Sequence, residues 1–506
     1  MSESAAERPR PPEREPGSGT TSFEWPADRP EDLRSTPVAV PASLGGSRLR
    51  RRLALAGCLA GAAILALPGP VGLPRAGQAS FGVFVIAVTL WVTNALPIGV
   101  TGLLAVALLG TVGGLAPQDA YAAFGNPAVF FILSVFIMAA AVIQSGLSKR
   151  LALLFLRRFE GGVFRLVAGV MLVGALLTVW MPNQATAAML FPITLEIARA
   201  AGLRPGRSAY GQTLFLSLAW GVMLGANASV LGSARVPLAL ELLEQRYGET
   251  ITFAGWLLAS LPVVLLGLGV GLLVLRFACR SEDVDLGAAR GAIEDGVARL
   301  GPLGRRELLV AAVMIATIAA WVLLSGRIDR AAIAVLGAVA MFALGLLRWA
   351  DLDGFVQWGI VLMYGGAIAI GVAIDRSGAG AWLVDGLLGG TRLPPLAVLA
   401  VLALASVPLS EVMSNAAAVA VLLPLGFTLA GTTGLDPVLI VLTTCFGAGL
   451  AFTLPISSAP NTIAFASGYV RTRDMLLVGS LMTAAQLGLL LLTALLYWPL
   501  VRGLLQ

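Results

Sequence analysis

Beyond residue 52 the chain is a succession of apolar stretches, each about twenty residues long, separated by short loops that carry most of the arginines. A stretch of that length and character crosses the hydrocarbon of a bilayer as one helix. Inside the hydrocarbon every backbone N–H and C=O must find its partner within the protein. The charges agree. Of 62 Asp, Glu, Lys and Arg residues, 17 lie in the first 52 positions, which leaves 45 over the other 454. Soluble domains are charged at about one residue in four. The fold class is therefore an all-α polytopic membrane protein.

Several classes of chemistry drop out at once. With no histidine in the chain there is no imidazole to ligate a metal, act as general base or relay a proton. Cys58, Cys279 and Cys445 are isolated, so neither a disulfide framework nor a thiolate metal site is indicated. The formal net charge of +6 comes from arginines scattered between apolar stretches rather than gathered on one face. That pattern is the positive-inside signature of a membrane protein, and no nucleic-acid partner is expected.

Residues 1–47, rich in Pro, Glu, Arg and Ser, cannot bury enough apolar surface to offset their ordering entropy and are expected to form a disordered cytoplasmic tail. Arg48, Arg50, Arg51 and Arg52 then precede the apolar run Leu53 to Leu67 without a convincing small-residue cleavage site, which predicts an uncleaved first helix with its N-terminus in the cytoplasm. Apolar spans follow near 53–69, 78–97, 99–115, 127–147, 212–243, 251–277, 307–325, 331–347, 355–375, 436–468 and 475–499. Two more segments, 164–197 and 395–430, are interrupted midway by polar residues. If both are re-entrant hairpins that do not cross, the basic loops 148–158, 199–207, 276–306 and 471–473 all fall on the cytoplasmic side. Arg327, Arg330, Arg376 and Arg392 fall outside and fit that rule less well.

The chain repeats. Ser145-Gly146 and Ser377-Gly378 end two helices 232 residues apart, and Thr178, Asn183 and Pro192 recur as Ser410, Asn415 and Pro424 at the same interval. An odd number of crossings between the copies inverts the second in the membrane, the mark of a secondary transporter with its site at the repeat interface. The expected organisation is an N-terminal repeat over 48–275, with first hairpin 164–197 and broken helix 212–243. A cytoplasmic linker over 276–306 follows, then a C-terminal repeat over 307–506, with second hairpin 395–430 and broken helix 436–468.

The interruptions Thr178-Val-Trp-Met-Pro182-Asn183-Gln184 and Ser410-Glu411-Val-Met-Ser414-Asn415-Ala416 take the backbone out of the helix at membrane depth. There an unpaired N–H or C=O costs several kcal/mol unless it is buried in protein or used on a ligand. The half-helices after each tip present N–H donors and a positive dipole end, which suits an anion, and the carbonyls before each tip suit a small cation. The helix over 212–243 breaks at Asn227-Ala-Ser229-Val-Leu-Gly232-Ser233, and that over 436–468 at Pro455-Ile-Ser457-Ser458-Ala459-Pro460-Asn461.

These segments resemble the divalent-anion/sodium symporter family of carboxylate and sulfate transporters, within the ion transporter superfamily. Its hairpin tips read Ser-Asn-Thr and its broken helices Gly/Ala-Thr-Pro-Pro-Asn. Ser414-Asn415-Ala416 with Pro424, and Ser458-Ala459-Pro460-Asn461 followed by Ser467-Gly468-Tyr469-Val470, are similar to its C-terminal signatures. Gln357-Trp358, Gly365-Gly366 and Ser377-Gly378 resemble the helix before the second hairpin. The resemblance runs from about residue 53 to the C-terminus. It implies about eleven transmembrane helices, two opposed hairpins, a homodimer and elevator movement of a transport domain. By the same resemblance, sodium falls on Thr178, Asn183 and Gly232 in one half and on Ser410, Met413, Asn415 and Ser457 in the other. The anion falls near Asn183, Gln184, Ser233, Ser414, Asn415, Ala416 and Ser458. No cofactor beyond sodium as coupling ion is expected.

This sequence departs from the family pattern at Pro182, Gln184 and Ala416, and at Ser233-Ala234-Arg235-Val236 in place of Thr-Pro-Pro-Asn. The changes remove a sodium oxygen and two hydroxyl bonds to a carboxylate, each bond worth ~1.5–3 kcal/mol when charge-assisted. An arginine at membrane depth requires a partner. Arg235 either replaces the first-half sodium or grips the oxyanion through its planar fork, or else it snorkels to an interface or pairs with Glu241. Glu411, beside the second tip, holds the hairpin together, couples protons or balances Arg235. Asn227 serves the site or helix packing. Leu147 to Phe159 reads as an amphipathic helix on the inner membrane surface, and the linker as a solvated connection.

The sequence thus predicts a secondary active transporter of a small anion, a di- or tricarboxylate, sulfate or related oxyanion. It is expected to be sodium-coupled, to lie in the plasma (inner) membrane and to work by an elevator mechanism. One alternative is a sodium-independent carrier or exchanger in which Arg235 replaces a cation. Another, of a different class, is a transport-inactive sensor or a membrane enzyme, though an enzyme lacks an activated nucleophile here.

Overall fold

The computed structural model of the chain describes residues 47–505 except 279–281, 283 and 389–393. The expected tail, but for its last residue, lies outside the described residues, as do Cys279 and Arg392. The described chain is helical, with no strand among these residues. Seven of its helices are long and apolar enough to cross a membrane, and shorter apolar helices accompany them.

The repeat extends to whole elements. The helices Arg75–Thr93, Ile98–Val112, Pro127–Gln144 and Leu147–Leu156 have as counterparts Arg305–Leu323, Arg330–Ala343, Trp358–Arg376 and Ala379–Leu388. The first hairpin, Val163–Thr178 and Asn183–Ala200, corresponds to Pro395–Val412 and Asn415–Thr433. The hairpins start 232 residues apart, as do the short helices at Leu147 and Ala379. Each short helix is entered through a left-handed glycine, Gly146 at φ +83° and Gly378 at φ +69°, a conformation that costs ~1–2 kcal/mol for a residue with a Cβ. The split helices follow the same plan: Ala209–Gly225 with Arg235–Tyr247, and Pro437–Gly447 with Ala459–Ala466.

The hairpins enter from opposite ends. Tyr210 Oη donates to the Val163 carbonyl at 2.9 Å and Tyr469 Oη to that of Leu203 at 3.0 Å, pinning the base of the first hairpin. Tyr247 Oη donates to the Phe427 carbonyl at 2.8 Å at the base of the second. Tyr210 and Tyr247 lie at the two extremes of one split helix, so the bases they pin are at opposite ends of the bundle.

Charge pairing differs between these ends. Around Tyr247, Glu244 meets Arg330 at 2.9 Å, Arg246 meets Asp375, Arg376 meets Asp119 at 2.9 Å, and Arg502 meets Glu249 and Asp436. Arg330 and Arg376, which fit the positive-inside rule poorly, are thus each matched by an acid. At the other end Arg150 joins Glu307 at 2.8 Å and the carbonyls of Leu300, Gly301 and Pro302. The amphipathic segment is a helix over Leu147–Leu156 continued by one 3-10 turn. The linker differs from the expected solvated connection: its helix Gly287–Ala298 buries Ala289 and Ile293 against the first hairpin and the amphipathic helix.

Close approach sets the core. A Cβ on Gly221 would lie 2.1 Å from the Met171 carbonyl oxygen, and one on Gly225 2.4 Å from Ala175 Cα. The first split helix therefore packs backbone against backbone on the first hairpin.

Candidate functional site

Each hairpin tip is tied to the break of the split helix in its own repeat. In the first, the Asn183 N–H donates to the Gly232 carbonyl at 3.0 Å, and Ser229 Oγ donates to the Val179 carbonyl at 2.7 Å. Gly232 has no room for a side chain, since its Cβ would fall 2.7 Å from the Thr178 carbonyl oxygen. Thr178 Oγ1 donates to Gly174 O at 2.6 Å. Helix Phe253–Ala278 completes the accounting for the break: Trp256 Nε1 donates to Asn227 O at 3.0 Å and Ser260 Oγ to Ala228 O at 2.8 Å. Backbone freed from the helix is thus repaired by neighbours, as the absence of water at this depth requires.

The second repeat uses side chains of its own hairpin. Ser410 Oγ lies 2.8 Å from Asn415 Oδ1 and donates to Ala448 O at 2.5 Å. Both oxygens of Glu411 accept backbone N–H groups from the break, Thr453 at 2.7 Å and Leu454 at 2.8 Å. Of the three roles weighed for Glu411, the geometry displays the structural one, and among the described residues no ion pair joins it to Arg235. Met413 leaves the helix in an extended conformation, and Ser414 caps the next helix by accepting from the Ala417 N–H at 3.2 Å. Ser457 Oγ donates within the break, 2.9 Å from Ala451 O and 2.8 Å from Leu454 O. Asn461 Nδ2 reaches Ala451 O at 2.9 Å and Ser457 Oγ at 2.9 Å, while its fully buried Oδ1 has no partner among the described residues.

The two halves meet where the split helices pass each other. Ser458 Oγ lies 3.4 Å from Met223 Sδ, and Tyr364 Oη donates to Ala234 O. Ser414 Oγ, at the second tip, lies 4.0 Å from the sulfur of Met363, the residue before Tyr364. Helix Ala459–Ala466 packs on the first hairpin and helix Arg235–Tyr247 on the second.

Arg235 sits at this crossing, 1% exposed. Its Nε donates to Cys445 O at 2.8 Å, its Nη1 to Ser233 Oγ at 2.7 Å, and its Nη2 to Asn227 Oδ1 at 2.5 Å. It neither snorkels nor pairs with Glu241, whose Oε1 accepts from Asn126 at 2.7 Å and Gln245 at 3.1 Å. A Cβ on Gly449 would lie 2.5 Å from Arg235 Nη2 and 2.7 Å from Asn227 Oδ1, so Gly449 makes the space that the guanidinium fills.

The sequence profile described as the sodium:sulfate symporter transmembrane region matches residues 50–504. The chain belongs to the sodium:sulfate symporter family. Among its relatives, the sodium-dependent dicarboxylate transporter SdcS of Staphylococcus saprophyticus is 26% identical over 429 residues, 79% of this chain and 82% of that one. SdcS of Staphylococcus aureus is 25% identical over 453 residues, covering 83% and 87%. Two solved structures share the fold. Neisseria gonorrhoeae MtrF has TM-score 0.55 and 14% identity over 88% of this chain and 94% of its own. The Alcanivorax borkumensis YdaH transporter has TM-score 0.50 and 18% identity over 75% and 86%. This symporter is a multi-pass membrane transporter and not an enzyme.

Of the residues expected at the site, Thr178, Asn183 and Gly232 come together in one cluster, and Ser410 and Asn415 in another. Ser457 stands across the second break, Ser458 faces Met223, and Ser233 bonds to Arg235. Ala416 is buried and Gln184 half-buried, just past their tips. Sequence reasoning missed Gly449 and the Cys445 carbonyl. The matching triplets Gly225-Ala226-Asn227 and Gly447-Ala448-Gly449, 222 residues apart, were the signal for Gly449.

Proposed function

We propose that this symporter carries a small anion of the carboxylate and sulfate class with sodium, as a homodimer in the plasma membrane with its N-terminus in the cytoplasm. The observation that carries this reading is the pair of oppositely entering hairpins, each tip tied to a broken helix of its own repeat. That arrangement puts a helix start with its N–H donors beside carbonyl and hydroxyl oxygens at each tip. Donors suit an anion and oxygens suit sodium. The proposed sodium ligands are Ser410, Met413, Asn415 and Ser457, with Thr178, Asn183 and Gly232 as the first-repeat set. The anion lies near Asn183, Gln184, Ser233, Arg235, Ser414, Asn415, Ala416 and Ser458. The SdcS relatives support coupling to sodium and a dicarboxylate among the candidate substrates. Because each tip and break are bonded as one piece, elevator movement carries them together and bends the short helices Leu147–Leu156 and Ala379–Leu388.

The test is uptake into proteoliposomes of labelled succinate, citrate, sulfate and phosphate, with an inward sodium gradient or potassium in its place. Sodium-driven accumulation of at least one anion is expected. Binding without accumulation, or accumulation indifferent to sodium, overturns the reading.

A further inference from the structure

We propose that Arg235 is a permanent cation standing in for a coupling ion in the first half-site, so that sodium binds in the second half-site alone. The inference rests on the sodium-coupled reading above and replaces the first-repeat sodium set, Thr178, Asn183 and Gly232, by the guanidinium.

The first ground is the state of the guanidinium. Its three acceptors, Cys445 O, Ser233 Oγ and Asn227 Oδ1, are all neutral. Among the described residues no carboxylate lies within ion-pair distance of it. A guanidinium has five N–H donors, so two remain without a partner among the described residues. A buried charge is retained when it is paired or serves a ligand. Gly449, at the crossing of the split helices, leaves the space that the guanidinium occupies.

The second ground is the first half-site itself. Pro182 stands at the tip position where the second repeat has Ser414, on the same backbone conformation: φ −57° and ψ 143° against φ −65° and ψ 144°. Pro182 offers no hydroxyl. The Gly232 carbonyl accepts the Asn183 N–H, while the Thr178 and Ser229 hydroxyls donate to carbonyls as those of Ser410 and Ser457 do in the second repeat, so the missing hydroxyl at Pro182 is what separates the two sets. Arg235 Nη1 is 2.7 Å from the hydroxyl of Ser233, the residue after Gly232. A sodium ion in that cluster would have a fixed positive charge as neighbour, within a medium that screens it weakly.

The second half-site is the reverse. Glu411 places a carboxylate one residue from Ser410, Asn415 Oδ1 faces Ser410, and Asn461 Oδ1 is a buried acceptor with nothing to accept. The guanidinium stands at the crossing, on Ser233 and Asn227 of the first repeat and Cys445 O of the second, and the one carboxylate beside a tip, Glu411, is in the second repeat, so the attraction for a cation is stronger there. The unused N–H donors of Arg235 are left for the anion, which they suit in geometry and charge.

The experiment follows thermal unfolding of the purified full-length protein in detergent against sodium chloride, with choline chloride holding ionic strength. An ion that binds only the folded state raises the unfolding temperature with its concentration. Wild type is expected to respond with a Hill slope near one. Asn415→Ala should move the sodium midpoint by about tenfold, and Asn183→Ala by less than about twofold even though it weakens anion uptake. Arg235→Gln should keep the sodium midpoint but lose about tenfold in uptake of labelled succinate and sulfate, with partial recovery in Arg235→Lys. Equal shifts for the two asparagines, a Hill slope near two, or undiminished uptake by Arg235→Gln overturns the inference and leaves sodium coupling standing. A wild type indifferent to sodium removes the sodium reading itself, and the inference falls with it. The asparagine pair decides the matter even where neither Arg235 variant folds.

Discussion

The two hairpin tips share a backbone path and differ in what holds them. At the first, the bonds to the split helix run through main-chain carbonyls, Val179 to the Ser229 hydroxyl and Gly232 to the Asn183 N–H. At the second, they run through side chains, the hydroxyl of Ser410 and the carboxylate of Glu411. A main-chain bond tolerates most substitutions at its own residue, because every residue supplies the carbonyl. A side-chain bond does not. At the first tip the side chain that makes the tie, Ser229, sits on the split helix, whereas at the second Ser410 and Glu411 sit on the hairpin itself.

The largest expected effect separates them most sharply. Glu411→Ala leaves the N–H groups of Thr453 and Leu454 without an acceptor, at about 1–3 kcal/mol for each buried donor. Its counterpart change, Val179→Ala, keeps the carbonyl that Ser229 uses. Unfolding temperatures in detergent should fall clearly for the first and by much less for the second, and equal losses would break the contrast. Next in size is a pair of glycines that both end the first half of a split helix. A Cβ on Gly225 meets Ala175 backbone at 2.4 Å, whereas one on Gly447 meets the Ser406 side chain at 2.9 Å. Overpacking costs about 1–3 kcal/mol, so Gly225→Ala belongs at the upper end and Gly447→Ala at the lower, measured in the same melts. The smallest concerns the caps. Ser414→Ala loses a side-chain cap worth about 1 kcal/mol. Pro182→Ser gains a cap on a compatible backbone but gives up the rigidity that proline confers on the unfolded chain, about 0.4–1 kcal/mol. It should melt close to wild type.

Much of this was legible in the residues. Five matching positions at one interval were enough to place both hairpins, because membrane-depth polar residues and prolines are rare enough to stand out, and the amphipathic helix from Leu147 was legible from its basic and apolar alternation. The depth of Arg235 was not legible, since burial depends on which helices close over a side chain, and those come from the other repeat. Cys445 lies 210 residues away from it. The linker helix was hidden for another reason. Leu286, Ala289 and Ile293 have helical spacing and are buried, but six arginines and five acids over 276–306 made the segment read as solvated. Gly449 carries no chemistry of its own, and only its counterpart Asn227 shows why the position is empty.

Because each tip is fastened within its own copy, a polypeptide of half this length would already contain a complete hairpin-and-break unit. Two such chains inserted in opposite senses would assemble the same core. Arg235 breaks that symmetry, since the corresponding stretch of the second copy, 455–466, has Pro460 and no arginine. Because the copies lie in one chain, a residue such as Arg235 can be present in one and absent from the other, which two identical chains could not achieve.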